Sequence, residues 1–134
     1  MRKSTTMAMM VLIGMTAAGC TEPDATEDRP PDIEEGQATF YADVLEGRRT
    51  ASGETFRQGA MVAAHRAFPF HTRLRVTNTD NGRSVEVRVI DRGSFGDGRG
   101  VRPILDLSRT AAERLGFLDA GRANVRVEVL EWGP

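Results

Sequence analysis

The fold class this sequence predicts is a small, mainly β domain closed into a barrel, and three observations predict it. Apolar residues alternate with polar ones at period two in three separate stretches. Only one stretch reads as a sure helix, and no repeat of 20 residues or more is visible. About a hundred of the 134 residues carry this pattern, enough for one modest core. Strands that bury one face and wet the other leave unpaired edges unless the sheet closes, so a barrel is the economical arrangement.

The elements follow in order. "GQATFYA", Gly36 to Ala42, is a short alternating strand candidate. "GAMVAAHRA" is short, ends near Pro69, and fits helix or strand equally. "RLRVTNTDNGRSVEVRVID" is the clearest hairpin. Leu74 and Val76 alternate with Arg73 and Arg75, Asn81 and Gly82 supply the turn, and Val85, Val87 and Val89 alternate with Ser84, Glu86 and Arg88. "SRTAAERLG" predicts a helix with Ser108 as N-cap, Arg109 and Glu113 spaced to pair, and Gly116 as the stop. Val125, Val127 and Val129, alternating with Arg126 and Glu128, predict a last strand.

The N-terminus is built differently. Residues 1–19 carry Arg2 and Lys3, then "MAMMVLIGM", then small residues before Cys20, the three-part plan of a bacterial export signal. The apolar run is shorter than the roughly 20 residues of a spanning helix. Cys20 is the only cysteine, so no internal disulfide is possible, and its setting after "AAG" resembles a lipobox. Acyl chains on Cys20 would hold the protein on a membrane surface, each buried methylene contributing about 0.8 kcal/mol. Thr21 rather than Asp after the cysteine points to the outer membrane of a Gram-negative cell, on its periplasmic face. Residues 21–35, with seven acids, three prolines and Ile33 as the one large apolar residue, read as a tether. The expected organisation is therefore a signal over 1–19, an anchor and tether over 20–35, and a domain over 36–134.

Charge and motif spacing then narrow the chemistry. From Gly36 onward fifteen arginines face twelve acids with no lysine, a small positive excess set against a strongly acidic tether. Guanidinium groups hold carboxylates and phosphates, but in an exported protein with so small an excess an anionic envelope polymer is the expected partner rather than nucleic acid. His65 and His71 lack zinc-ligand spacing, the glycine-rich run from Gly93 to Gly100 lacks the Lys-Ser/Thr ending of a phosphate loop, and no Gly-x-Ser-x-Gly occurs. No metal or cofactor is expected. What remains is a set of carboxylates and a histidine: Asp91 where an apolar strand opens into the glycine-rich loop, Glu54 in "TASGETF", Asp106 in "LDLSR" and His65 in "AAHRAFP". Each has an ordinary alternative, a turn acceptor for Asp91, a helix-start support for Asp106 and a satisfied half-buried ring for His65.

Six ordered motifs, G-x-A-x-x-Y, G-R-x-T-A-S-G-E, A-A-H, V-x-N-x-x-N-G-R, D-R-G and D-L-S, closely resemble the rare lipoprotein A family from Gly36 to about Leu130. The resemblance implies a six-stranded double-psi β-barrel with one or two short helices and an endolytic, peptidoglycan-cleaving lytic transglycosylase. It implies Asp91 as general acid and base and His65 and Glu54 as further catalytic-cleft residues; Tyr41, Thr50, Arg92 and Asp106 are the expected substrate-binding positions. It further implies a 1,6-anhydro product from the bond between N-acetylmuramic acid and N-acetylglucosamine, and a preference for glycan strands poor in stem peptides. One carboxylate suffices for that chemistry, whereas hydrolysis needs two. Two positions depart from the family pattern, Arg57 where an acid is common and Ser94 where proline is common. Double-psi barrels of the expansin and barwin type grip polysaccharide without cutting it, so a non-catalytic glycan-binding lipoprotein is the alternative, with Tyr41, Phe95 and Trp132 as stacking platforms. Oligomeric state is not readable from the sequence.

Overall fold

The structure is a computed structural model that describes residues 30–93 and 100–134. The expected signal, Cys20, most of the tether, Ser94 and Phe95 lie outside the described residues. Six strands, β1 (Ile33–Phe40), β2 (Val62–Ala64), β3 (Arg73–Asn78), β4 (Ser84–Asp91), β5 (Leu105–Leu107) and β6 (Ala123–Glu131), are joined by one helix, α1 (Arg109–Leu115). A single 3-10 turn spans Asp43–Leu45. The strands close in the order β1-β5-β2-β4-β3-β6, the expected barrel. The β1–β5 and β2–β4 pairs are parallel and the others antiparallel.

Alternation decides what fills the barrel. Leu74 and Val76 of β3, Val87 and Val89 of β4, Leu105 and Leu107 of β5, and Val125 and Val127 of β6 are buried in one cluster with Phe68, Leu115 and Phe117. Each fully buried Leu among them contributes about 1.5–3 kcal/mol relative to exposure. "GAMVAAHRA" resolves as strand. Val62, Ala63 and Ala64 are all buried because the wall at β2 is covered on both sides. Ala63 faces the barrel interior, while Val62 and Ala64 meet a second cluster of Ile90 of β4 with Tyr41 and Phe56, the last two carried by the 41–60 segment outside the barrel.

Two expectations are corrected. The first strand begins at Ile33 rather than Gly36, since Ile33, Glu34 and Glu35 pair with Glu128, Val127 and Arg126 of β6. Backbone pairing tolerates the acidic side chains, one of which, Glu34, finds a partner in His65. Strand β1 therefore takes in the last three residues of the stretch read as tether. Arg109 does not pair with Glu113, because its guanidinium reaches Asp43, with Nη1 at 2.8 and 2.9 Å from the two carboxylate oxygens.

Other motif residues are explained by scaffolding. Ser108 Oγ accepts the Ala111 N–H at the start of α1, and Gly116 ends the helix at φ 79°. The β3–β4 turn carries Asn78 and Asn81, whose Nδ2 groups both donate to the Leu115 carbonyl, at 2.9 and 2.8 Å. The V-x-N-x-x-N-G-R motif is thus a clamp on the C-terminal end of α1. Gly36 sits where any Cβ would lie 2.8 Å from the Ile104 side chain, so the G-x-A start is a packing requirement.

Candidate active site

Asp91 is the last residue of β4, and its surroundings are built by three segments. Its main-chain carbonyl accepts the His65 N–H at 3.1 Å, extending the β2–β4 pairing by one residue. Its Oδ1 accepts two backbone N–H groups, from Ala51 at 2.9 Å and Arg92 at 2.8 Å. Its Oδ2 accepts the Tyr41 hydroxyl at 2.6 Å. Tyr41 stands edge-on to Phe56, ring centroids 4.2 Å apart, within the second cluster. Burial first, then the hydrogen bond from Tyr41 to Asp91, pushes the phenol pKa far above its ordinary value, so the hydroxyl stays protonated.

The 49–55 loop aims the Ala51 N–H. Thr50 donates from both its N–H and its Oγ1 to the Glu54 carbonyl, each at 2.8 Å, and Gly53 closes the turn at φ 92°. Ser52 N–H then ties the loop to the Ile90 carbonyl at 3.1 Å. Thr50, expected to bind substrate, is buried with its hydroxyl engaged in this turn. Glu54 projects from the same loop to Arg88 of β4, with Arg88 Nη1 and Nη2 donating to its two oxygens at 2.5 and 2.9 Å. That pairing lowers the Glu54 pKa below the ordinary carboxylate range and raises that of Arg88.

The 65–72 segment forms the other side. His65 is buried and stacked flat on Phe68, with centroids 3.7 Å apart. Its Nδ1 accepts the N–H groups of Ala67 and Phe68, both at 3.0 Å. Its proton therefore sits on Nε2, which donates to Glu34 Oε2 at 2.8 Å. The structure joins His65 to Asp91 through the backbone, while the imidazole is turned toward β1. Arg92 also points away from the carboxylate that precedes it. Its Nη1 donates to the Phe68 carbonyl at 2.8 Å, and the guanidinium lies 4.0 Å over the Phe70 ring.

Asp106 of β5 accepts the Thr39 hydroxyl. Ala64 pairs with Asp91 on one side and Asp106 on the other, which sets the two backbones roughly 10 Å apart. Asp91, Tyr41 and Asp106 thus share one neighbourhood, and Asp106 adds to the field that holds the Tyr41 proton. Arg57 instead faces Glu46 at 3.8 Å on the exposed surface. Trp132 packs edge-on against Phe68 at 5.5 Å. Among the described residues no group of three or more His, Cys, Asp or Glu is placed to hold a metal, and no helix is long and apolar enough to cross a membrane. Sequence reasoning missed the hydrogen bond from Tyr41 to Asp91, the Ala51 N–H and the Glu34–His65 pair. Each joins residues far apart in the chain, and local spacing carries no signal for them.

Comparison with known proteins agrees with this architecture. A protein-family profile described as lytic transglycolase matches residues 33–127. The "Probable endolytic peptidoglycan transglycosylase RlpA" of Nostoc is 55% identical over 98 residues, covering 72% of this chain and 25% of the relative. The "Endolytic peptidoglycan transglycosylase RlpA" of Vibrio cholerae is 47% identical over 97 residues, covering 72% of this chain and 35% of the relative. The chain therefore spans about a quarter to a third of the length of these relatives. Among solved structures, an expansin from Clavibacter michiganensis superposes with a TM-score of 0.56 at 26% identity, covering 76% of this chain and 53% of that one. A papain inhibitor from Streptomyces gives a TM-score of 0.56 at 24% identity, covering 72% and 92%, and shares the fold. With most of its length matched by the family profile and its strands closed into a six-stranded double-psi barrel, the chain belongs to the lytic transglycolase family.

Proposed function

We propose that this protein is an endolytic peptidoglycan transglycosylase, with Asp91 as the single acid and base. The observation that carries the reading is the asymmetric setting of the Asp91 carboxylate. Backbone N–H groups only donate, so Oδ1, facing Ala51 and Arg92, must remain an acceptor in every protonation state. The acid proton is therefore held at Oδ2. The Tyr41 hydroxyl beside Oδ2 donates to the carboxylate and turns to accept from the carboxylic acid, so it suits both states.

The reaction needs that alternation. Asp91 gives its Oδ2 proton to the oxygen leaving N-acetylmuramic acid as the glycosidic bond breaks. The Asp91 Oδ2 then takes a proton from the C6 hydroxyl of that sugar, whose oxygen closes onto C1 and forms the 1,6-anhydro ring. No water enters, and Asp91 ends protonated as it began. In this reading Tyr41 positions Asp91, while Thr50 and Glu54 shape the loop that delivers the Ala51 N–H. His65 and Arg92 are scaffold for the opposite wall, and Asp106 lies where a neighbouring sugar would meet it. The relatives named as transglycosylases support the activity, and stem-poor glycan strands are the proposed substrate. The protein would work in the cell envelope, exported by residues 1–19 and lipid-anchored at Cys20 to the outer membrane. The alternative of a non-catalytic glycan binder is tested with it. Purified sacculi incubated with the protein should release soluble glycan, and the Asp91→Asn variant should pellet with sacculi without releasing any. Pelleting without release by both proteins would instead assign a binding module.

A further inference from the structure

His71 occupies a position whose geometry asks for glycine. The Thr72 N–H donates to the Pro69 carbonyl at 3.2 Å, which makes residues 69–72 a turn, and His71 in its third position has φ 72°. A turn with positive φ there is the type II form, in which glycine or asparagine is usual. Among the described residues His71 is the one non-glycine residue with positive φ. The conformation is imposed from all sides. His71 N–H is tied to the Val89 carbonyl at 2.8 Å, and Arg92 lies on the Phe70 ring. Gly133 approaches so closely that a Cβ there would sit 2.0 Å from the Phe70 carbonyl oxygen. A strained residue held this firmly is a pointer to function.

The side chain is equally constrained. Arg88 Nη1 lies 3.1 Å from His71 Nδ1, and because a guanidinium can only donate, Nδ1 accepts and the imidazole proton is on Nε2. About half of the His71 side chain is exposed, at 47%. The cluster of Glu54, Arg88 and neutral His71 has no net charge, so it favours an uncharged acceptor over a carboxylate. Val89 and Arg88 precede Asp91 by two and three residues on β4, which sets His71 roughly 7–10 Å back from the acid along the strand direction, one to two sugar rings away.

Resting on the transglycosylase reading for the identity of the polymer, we propose that His71 is a specificity residue whose Nε2–H donates to the acetamido carbonyl of an N-acetylated sugar beside the cleaved bond. Cellulose-type glycans have no such group, so this contact would separate amino-sugar polymers from plain glucans on one barrel fold.

The test is binding rather than cleavage, so it stands whether or not the protein cuts glycan. The full chain and its His71→Gly and His71→Asn variants are titrated by NMR with the hexasaccharide of N-acetylglucosamine and with cellohexaose. His71→Gly should weaken binding of the acetylated sugar by about tenfold, as expected for one lost hydrogen bond, and leave cellohexaose binding unchanged. The same variant should raise the melting temperature by a few degrees, because glycine relieves the left-handed backbone. His71→Asn, which tolerates positive φ and keeps a donor, should recover part of the affinity. Equal loss for both sugars, or no loss for either, would overturn the assignment. Failure to detect anhydro products while the selective loss persists would count against the transglycosylase reading alone.

Discussion

The two ends of β4 are built from similar residues and put to opposite uses. At the Ser84 end, Asn78 and Asn81 turn their amide groups inward. Both donate to the Leu115 carbonyl, while their side-chain oxygens accept the N–H groups of Asp80 and Arg83 at 2.9 Å each. At the Asp91 end, three donors fix a carboxylate on the opposite side of the wall from the main core, and the half-exposed His71 is held at Nδ1 by Arg88. Hydrogen bonds that satisfy backbone groups build a scaffold, and hydrogen bonds that immobilise a side chain while leaving part of it available build a site. Polar residue type alone does not distinguish the two.

Substitution at each end should therefore separate stability from activity. Asp91→Asn should cut glycan release by about 10²–10⁴-fold, the usual contribution of general acid–base catalysis. Its amide oxygen can still accept from Ala51 and Arg92 and its NH₂ can donate to Tyr41, so the melting temperature should stay close to that of the parent. A collapse in stability would mean that Asp91 is a turn acceptor. Asn78→Ala should do the reverse. Losing the donor to Leu115 and the acceptor for Asp80 in a buried setting should destabilise by about 1–3 kcal/mol, visible as a drop in melting temperature. Turnover per folded molecule should be unaffected.

Smaller effects sharpen the picture around Asp91. Tyr41→Phe should lower turnover roughly tenfold, about 1.4 kcal/mol, by removing the group that accommodates both states of Oδ2. Tyr41 is the one tyrosine of the chain, so its ionisation can be followed directly by ultraviolet absorbance. Because its pKa is raised in the folded state, the folding stability it supports is intact below the ordinary tyrosine range and lost as pH rises above it. Tyrosinate absorbance should therefore rise only together with alkaline unfolding, and ionisation in the folded protein near pH 10 would break the account.

Glu54→Gln should have the smallest effect. With a pKa lowered chiefly by the Arg88 hydrogen bond, Glu54 contributes stability above the ordinary carboxylate range, and that contribution fades as pH falls through its lowered folded value. The pair is more than a third exposed, so screening by solvent keeps the difference below about 1 kcal/mol. The difference between parent and variant should close in acid.

How much of this was legible in the sequence follows from the range of the interactions involved. Period-two alternation placed β3, β4 and β6, because each buries one face, and Ser108 and Gly116 marked α1 because capping is local. The start of β1 was misplaced, since Glu34 and Glu35 look like tether until β6 and His65 supply their partners. β2 was ambiguous because burial on both faces erases alternation. Asp91 stood out as a carboxylate at a strand end, yet its donors come from positions 41, 51 and 92, and only the folded chain brings the first two to it. Arg57, a departure from the family pattern, lies at Glu46 on the surface. His71 gave no sign, because positive φ at a histidine is imposed by surroundings rather than by residue type.

The central claim is that one carboxylate performs both proton transfers without water, although Asp106 lies only a strand away from Asp91 on the far side of β2. Mass spectrometry of the soluble products from amidase-treated sacculi tests it most directly. The products should end in 1,6-anhydro-N-acetylmuramic acid, each lighter by one water than a hydrolytic fragment, and should disappear with Asp91→Asn. Reducing-end products that carry an added water would contradict it and point to Asp91 and Asp106 acting as a hydrolytic pair.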